Sequence, residues 1–257
     1  MSQLNLASLH PTEVKQKVNN QGTVQGILIA TIIFGLWTST IFVLLSLDVS
    51  KLEIPWIFCA IAFQTFLYTG IFITAHDAMH RSLFPQNQKI NDFLGSVATF
   101  IYACFSYKKL LKNHWMHHRH PASELDPDFH DGVHKNFVFW YLRFLGKYWS
   151  WTQLVCSITL FHGVKHLFHI PEINLILFWI VPSVLSSFQL FYFGSFLPHR
   201  EPQGGHTNPH RAQSSSFSTF WSFITCYHFG YHQEHHEHPD VPWWRLPAIR
   251  KLRTSNS

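Results

Sequence analysis

Between Val24 and Leu47 the chain runs for 24 residues without a charged side chain, and Ile54–Ala75 is a second such run. About 20 helical residues cross the hydrocarbon layer of a bilayer, and a backbone in lipid must satisfy its own hydrogen bonds, so such runs read as helices. With the short polar turn at 48–53 between them, they predict a membrane hairpin. Two further spans are predicted at Tyr148–Phe168, interrupted only by Lys165, and at Ile173–Leu197. Phe93–Phe105 is apolar but too short to cross, and is expected to lie in the interface or re-enter. Charged residues make up only 13% of the chain, about half the share usual in soluble domains. Residues 1–22 form a polar arm, amphipathic or disordered. No apolar core followed by a small-residue cleavage site occurs there, so no secretory signal is expected.

Basic residues set the orientation of such a bundle. With the N-terminus inside, the outer loops hold only Lys51 and Lys165, and the remaining Lys and Arg residues, of 19 in all, fall on the inner side. The expected organisation is a single domain over 1–257, with segments 76–147 and 198–257 forming a cap on the cytoplasmic face. The net charge of +5 fits this bias. No basic stripe interleaved with exposed aromatics points to nucleic acid. The four cysteines (Cys59, Cys104, Cys156, Cys226) lie in apolar contexts without CxxC spacing and read as small buried hydrophobes.

Three histidine clusters fall in the two cap segments. His76-Asp77-Ala78-Met79-His80 places two imidazoles four residues apart on one helix face. His114-Trp115-Met116-His117-His118 and His232-Gln233-Glu234-His235-His236 share an HxxHH spacing, again on one face each. A single HxxxH is common at membrane interfaces without any ligand role. Three clusters on one side, two with identical spacing, point to metal. Neutral imidazole suits Zn, Cu, Fe or Ni. Eight imidazoles exceed what one four-coordinate structural zinc can use, so two metals with open positions account for the number. The chain lacks Glu-x-x-His, which excludes the carboxylate-bridged bundle type of di-iron protein.

HxxxH, HxxHH and HxxHH, in that order on a four-span frame, resemble the membrane fatty-acid desaturase and hydroxylase superfamily, over the chain from the first span to about Pro247. Closer detail is similar to the β-carotene ketolases: Asn113 through Pro121, Asp126-Pro127-Asp128-Phe129, Phe193 through Arg200, and His228-Phe229-Gly230-Tyr231 leading into the third cluster. The resemblance implies an all-α integral membrane protein, four transmembrane helices with a cytoplasmic histidine-rich cap holding a di-iron centre. It implies His76, His80, His114, His117, His118, His232, His235 and His236 as ligands, completed by His199 at the inner end of the fourth span. Some desaturases place an Asn four residues before that histidine. Ser195 stands there instead, and the role is not carried over.

The implied activity is oxygen-dependent oxidation of the ring C4 methylene of β-carotene-type carotenoids to a ketone, giving echinenone and canthaxanthin, with zeaxanthin to astaxanthin as a variant. Two ferrous ions reduce O2, using electrons from an external, ferredoxin-like protein, since no GxGxxG or flavin motif is present. Hydroxylation twice at one carbon leaves a geminal diol that loses water. The alternatives are a carotenoid 3-hydroxylase or fatty-acyl desaturase and, remotely, a metal transporter. The transporter needs ionisable groups near the bilayer midplane, and the spans lack them.

Other residues carry weaker readings. Asp77 is placed to orient an imidazole through its second ring nitrogen. The competing reading is a helix-start carboxylate. Glu234 and Glu237 flank His235 and His236 in the same way. Asp126 and Asp128 read as loop-shaping residues paired with Arg or Lys, with contact to a ligand imidazole as the alternative. His228 reads as interfacial, with a ligand role on the face of His232 as the alternative, His162 and His166 as interfacial on the opposite surface, and His120 and His238, each before a proline, as surface groups or supports of the ligands.

Overall fold

The computed structural model describes residues 11–255, and among them no strand occurs. The long apolar elements are α1 (Pro11–Leu45), α2 (Ile54–Met79) and α7 (Glu172–His199). Between and after them come α3 (Gln88–Ala103), α4 (Tyr107–Arg119), α5 (Phe137–Tyr148), α6 (Trp151–Leu167), α8 (Thr219–Cys226), α9 (His232–Glu237) and α10 (Leu246–Ser255). The expected all-helical class is observed. Residues 1–10 of the expected polar arm lie outside the described residues, and from Pro11 the backbone is helical without a break to Leu45.

Three of the four expected spans are helices long and apolar enough to cross a membrane: Val24–Leu45, Ile54–Met79 and Glu172–His199. The segment expected as the third span forms α6, which has 17 residues and is therefore about 25 Å long at 1.5 Å per residue. Trp149 ends the preceding helix in an extended conformation, and Ser150 caps α6 by accepting from Gln153 N. That break shortens the element. The Phe93–Phe105 stretch is mostly α3, which packs along α2. Asn87 starts it, accepting from the amides of Lys89 and Ile90.

Helix α2 is the centre of the molecule, packed against α1, α3, α7 and α8. Its first half presents Trp56 and Phe58 outward, both 66% exposed, as a lipid-facing helix does. From Leu67 to Met79 nearly every side chain is buried. Hydrogen bonds cross between helices where no water competes. Thr69 donates to Ser186 at 2.9 Å, Tyr102 to Ser186 at 3.2 Å, and Thr40 to Gln64 at 2.8 Å. At the far end, Asn174 donates to the carbonyls of Leu44 (3.1 Å) and Leu47 (2.8 Å), satisfying acceptors that the end of α1 leaves open. The cysteines are free thiols, and Cys226 is buried as expected. Cys59 is instead exposed, on the outward half of α2.

Two π-helical turns interrupt α7, at Ile176–Ile180 and Tyr192–Phe196. Each inserts an extra residue and rotates the next stretch of helix by about 100° relative to an unbroken one. The second lies directly before His199.

Candidate metal centre

Each candidate ligand is placed by an element end. The last turn of α2 carries His76, and His80 is the residue that closes that helix. Ser106 caps α4 by accepting from Lys109 N, and the helix then presents His114, His117 and His118 along one side. His199 closes α7, and α9 supplies His232, His235 and His236. All nine expected histidines converge on one site.

They sort into two quartets. Ligand nitrogens of His76, His80, His114 and His235 lie within 4.8 Å of one another, and so do those of His117, His199, His232 and His236. His118 belongs to neither quartet. Its Nε2 is 3.0 Å from His235 Nε2, and its ring stacks on that of His236. The Nε2 atoms face each other closely: His80 and His114 at 2.5 Å, His117 and His236 at 3.1 Å, His232 and His236 at 3.1 Å. His76 Nε2 and His199 Nε2 are buried with no hydrogen-bond partner. Lone pairs aimed at a common point in a dry interior repel unless a cation lies between them. The donor set is all imidazole, which borderline metals such as iron accept. These residues fit a pair of such ions.

At His76, His117 and His199 an oxygen acceptor lies at the opposite ring nitrogen, which selects the tautomer that leaves Nε2 for metal, whereas Nδ1 of His80, His232 and His236 is buried without a partner. His117 Nδ1 donates to both oxygens of Asp126 at 3.0 Å, and His199 Nδ1 to the carbonyl of Arg211 at 2.8 Å. Asp77 is buried in the last turn of α2, not at a helix start. Its carboxylate is 3.4 Å from His76 Nδ1 and accepts from the Trp243 amide at 3.2 Å. Asp126 also accepts from the amides of Ala122 and Asp128. The reading of Asp126 and Asp128 as partners of Arg or Lys is thus corrected: Asp126 serves His117, and Asp128 accepts from Tyr148. Glu234 is corrected too. It points away from the imidazoles and holds Arg250 (3.0 Å) and Arg253 (3.1 Å) of α10, with Ser214 donating to it as well. Glu237 accepts from Gln233.

Burial first, and then neighbouring imidazoles, hold His80, His114, His118, His232, His235 and His236 well below their ordinary value of 6.5. These rings stay neutral, the form that binds metal. Burial also pulls down on His117, but Asp126 and Asp128 outweigh it and raise that ring to about 9. Burial pushes Asp128 up to about 6.

The remaining histidines lie apart. His228 packs between Phe223, Tyr231 and Trp243, outside both quartets. His162 and His166 lie near the end of α6, away from the quartets. His120 and His238 close α4 and α9. His210, which sequence spacing did not single out, brings its ring 5.9 Å from that of His236. It comes from an irregular loop, where no periodicity could mark it.

A cavity of about 340 Å³ lies between α2, α3, α5 and α7. Phe72, Tyr102, Phe144 and Leu190 line its apolar body, and His76, His117 and His232 form its head. That volume and lining are typical of a site for an apolar small molecule.

Membrane-length helices, a dry histidine site built for metal and an apolar cavity running up to it define the class: a membrane oxidoreductase of the histidine-box kind. The fatty acid desaturase family model matches residues 54–169 and 146–255, and the chain belongs to that family. Within it, the chain is 42% identical to a beta-carotene ketolase of Paracoccus sp. over 72% of its own length and 76% of the relative's. It is 40% identical to the enzyme of the same name from a second Paracoccus strain, over 82% and 85%. A zeaxanthin 4-ketolase of Chlamydomonas reinhardtii is 39% identical over 88% of this chain, which spans 53% of that longer protein.

Proposed function

We propose that the chain is a carotenoid ketolase that oxidises a ring methylene of a β-carotene-type substrate to a ketone. The observation that carries this reading is the convergence of nine imidazoles at the head of an apolar cavity, in a chain about 40% identical to ketolases. His76, His80, His114 and His235, joined by His118, hold one ion, and His117, His199, His232 and His236 hold the second. Two ferrous ions held there supply the redox chemistry that inserts oxygen from O2 into a C–H bond. The chain's own residues do the rest. Phe72, Tyr102, Phe144 and Leu190 hold one end of the polyene and exclude water, while Asp126 and the Arg211 carbonyl keep His117 and His199 oriented. The same carbon is hydroxylated twice, and the resulting geminal diol loses water to leave the ketone. Each insertion consumes two electrons and two protons besides O2. They come from an external ferredoxin-like protein.

The bundle forms one domain with four spans and its histidine face on the cytoplasmic side. The exposed pair Trp149 and Trp151 at the start of α6 suits a membrane-interface belt. With 17 residues, α6 stands at the lower end of the lengths that cross a bilayer. Expression in a host that makes β-carotene tests the activity. Ketocarotenoids together with iron in the purified protein are the expected result. Products hydroxylated at C3 without ketones would replace this reading with that of a hydroxylase.

A further inference from the structure

Lys108, Lys112, Trp115 and Arg119 recur along α4 at spacings of four, three and four residues, which places them on one stripe of the helix. Both lysines and Arg119 are exposed, and α4 contains no acidic residue. Trp115 is half-buried. Its indole lies 5.3 Å, ring centre to ring centre, from His80 and 5.8 Å from His118. It also helps line a second cavity of about 360 Å³ at the surface, together with Met79, Arg81, Gln88, Leu111, Arg119 and the single acid Asp92. Asp92 is engaged by the Tyr107 hydroxyl. Trp115 therefore borders both a cationic, solvent-facing hollow and two of the histidines. The outer side of α9, by contrast, is covered by α10.

The proposed oxidation needs electrons from outside: a C–H bond, O2, two electrons and two protons become a C–OH bond and water. Electron transfer weakens steeply with distance, so a donor must dock where little protein intervenes. We propose that the face formed by Lys108, Lys112 and Arg119 with Arg81, centred on Trp115, is the docking surface for an acidic one-electron carrier protein. Opposite charge steers such an encounter and makes it sensitive to salt. The aromatic contact with His80 and His118 favours a redox protein over anionic lipid headgroups, which need no route to the histidines. The inference rests on the oxidoreductase reading above.

The test uses the full chain in nanodiscs of zwitterionic phosphatidylcholine and a reduced plant-type [2Fe–2S] ferredoxin as the probe. Ferredoxin affinity is measured against ionic strength for the wild type and for the double variant Lys108→Glu, Lys112→Glu. Neither residue touches a histidine of the two quartets. The expected result is salt-sensitive binding by the wild type that weakens at least tenfold in the variant, with iron content unchanged. Equal affinity of the two proteins, or salt-insensitive binding, overturns the proposal. So does a variant that loses only its preference for anionic-lipid vesicles, since the face is then a lipid contact. Ketone formation by the wild-type preparation reports separately on the proposed activity.

Discussion

His117 uses both ring nitrogens, one toward the quartet and one toward Asp126, and the two halves can be separated by mutation. His117→Ala should abolish ketone formation and lower bound iron while the protein still inserts. Pigment analysis and metal content on membrane fractions check this, and full activity would remove His117 from the ligand set. Asp126→Asn keeps His117 but weakens its acceptor. Loss of such an outer partner typically costs about 10–100-fold in metal affinity, measurable by competition with a chelator. Acidification addresses the set as a whole. Six of the imidazoles are held well below 6.5 in the folded protein. As pH falls through 6.5 the unfolded chain takes up protons that the folded chain refuses, so their stability contribution is complete above 6.5 and lost below it. His117, raised to about 9, works oppositely: its contribution is complete below 6.5 and fades as pH rises through 9. With six groups against one, the metal-free protein should unfold more readily below pH 6.5. Thermal melts at a series of pH values in chelator check this.

At the scale of elements, the short helix α9 depends on α10. Buried Glu234 receives both Arg250 and Arg253, and Arg250 also donates to the Ser215 carbonyl and lies over the Tyr231 ring. Hydrogen bonds to charged groups contribute about 1.5–3 kcal/mol each when desolvated. The arginines here are partly exposed, which reduces that figure. Glu234→Gln should therefore destabilise the protein by about 2 kcal/mol. Loss of thermal stability and easier proteolysis after residue 240 are the readouts. A second pressure point joins the π turn of α7 to the loop before α9. A Cβ on Gly194 would collide with Phe229 Cε1, and the Phe229 ring packs against His76. Gly194→Ala should push that ring into the cavity and cut ketone formation more than it cuts iron content. An overpacking cost of about 1–3 kcal/mol accompanies the change. Unchanged turnover would mean that the cavity next to His76 is not the substrate site.

For the whole molecule, the proposed orientation puts 76–147 and 198–257 on one face and Lys51 on the other. Single cysteines introduced at exposed positions in those segments should react with an impermeant reagent only from the cytoplasmic side, and one at Lys51 only from outside. Labelling of the third cluster's neighbourhood from outside would sink the four-span arrangement. Much of this molecule was legible in its sequence, because charge-free length and helical spacing are local properties of a chain. Helices at 24–45, 54–79 and 172–199 and the shared faces of HxxxH and HxxHH arise from residues a few positions apart. The true extent of the helix within Tyr148–Phe168 was hidden, since a break at Trp149–Ser150 leaves it 17 residues long and composition does not register the break. The division into two quartets was out of reach as well. It depends on contacts such as His80 with His114, between α2 and α4, and His117 with His236, between α4 and α9, which lie far apart in sequence. The partners of the carboxylates were equally hidden. Asp126 reads as a loop acid and Glu234 as an acid beside histidines, yet the first meets an imidazole and the second meets arginines. Composition and spacing along the chain dictate which elements form and which rings each one presents. Which rings face one another, and which charges they meet, is settled by folding alone, because those energies depend on distances between segments that local periodicity does not encode.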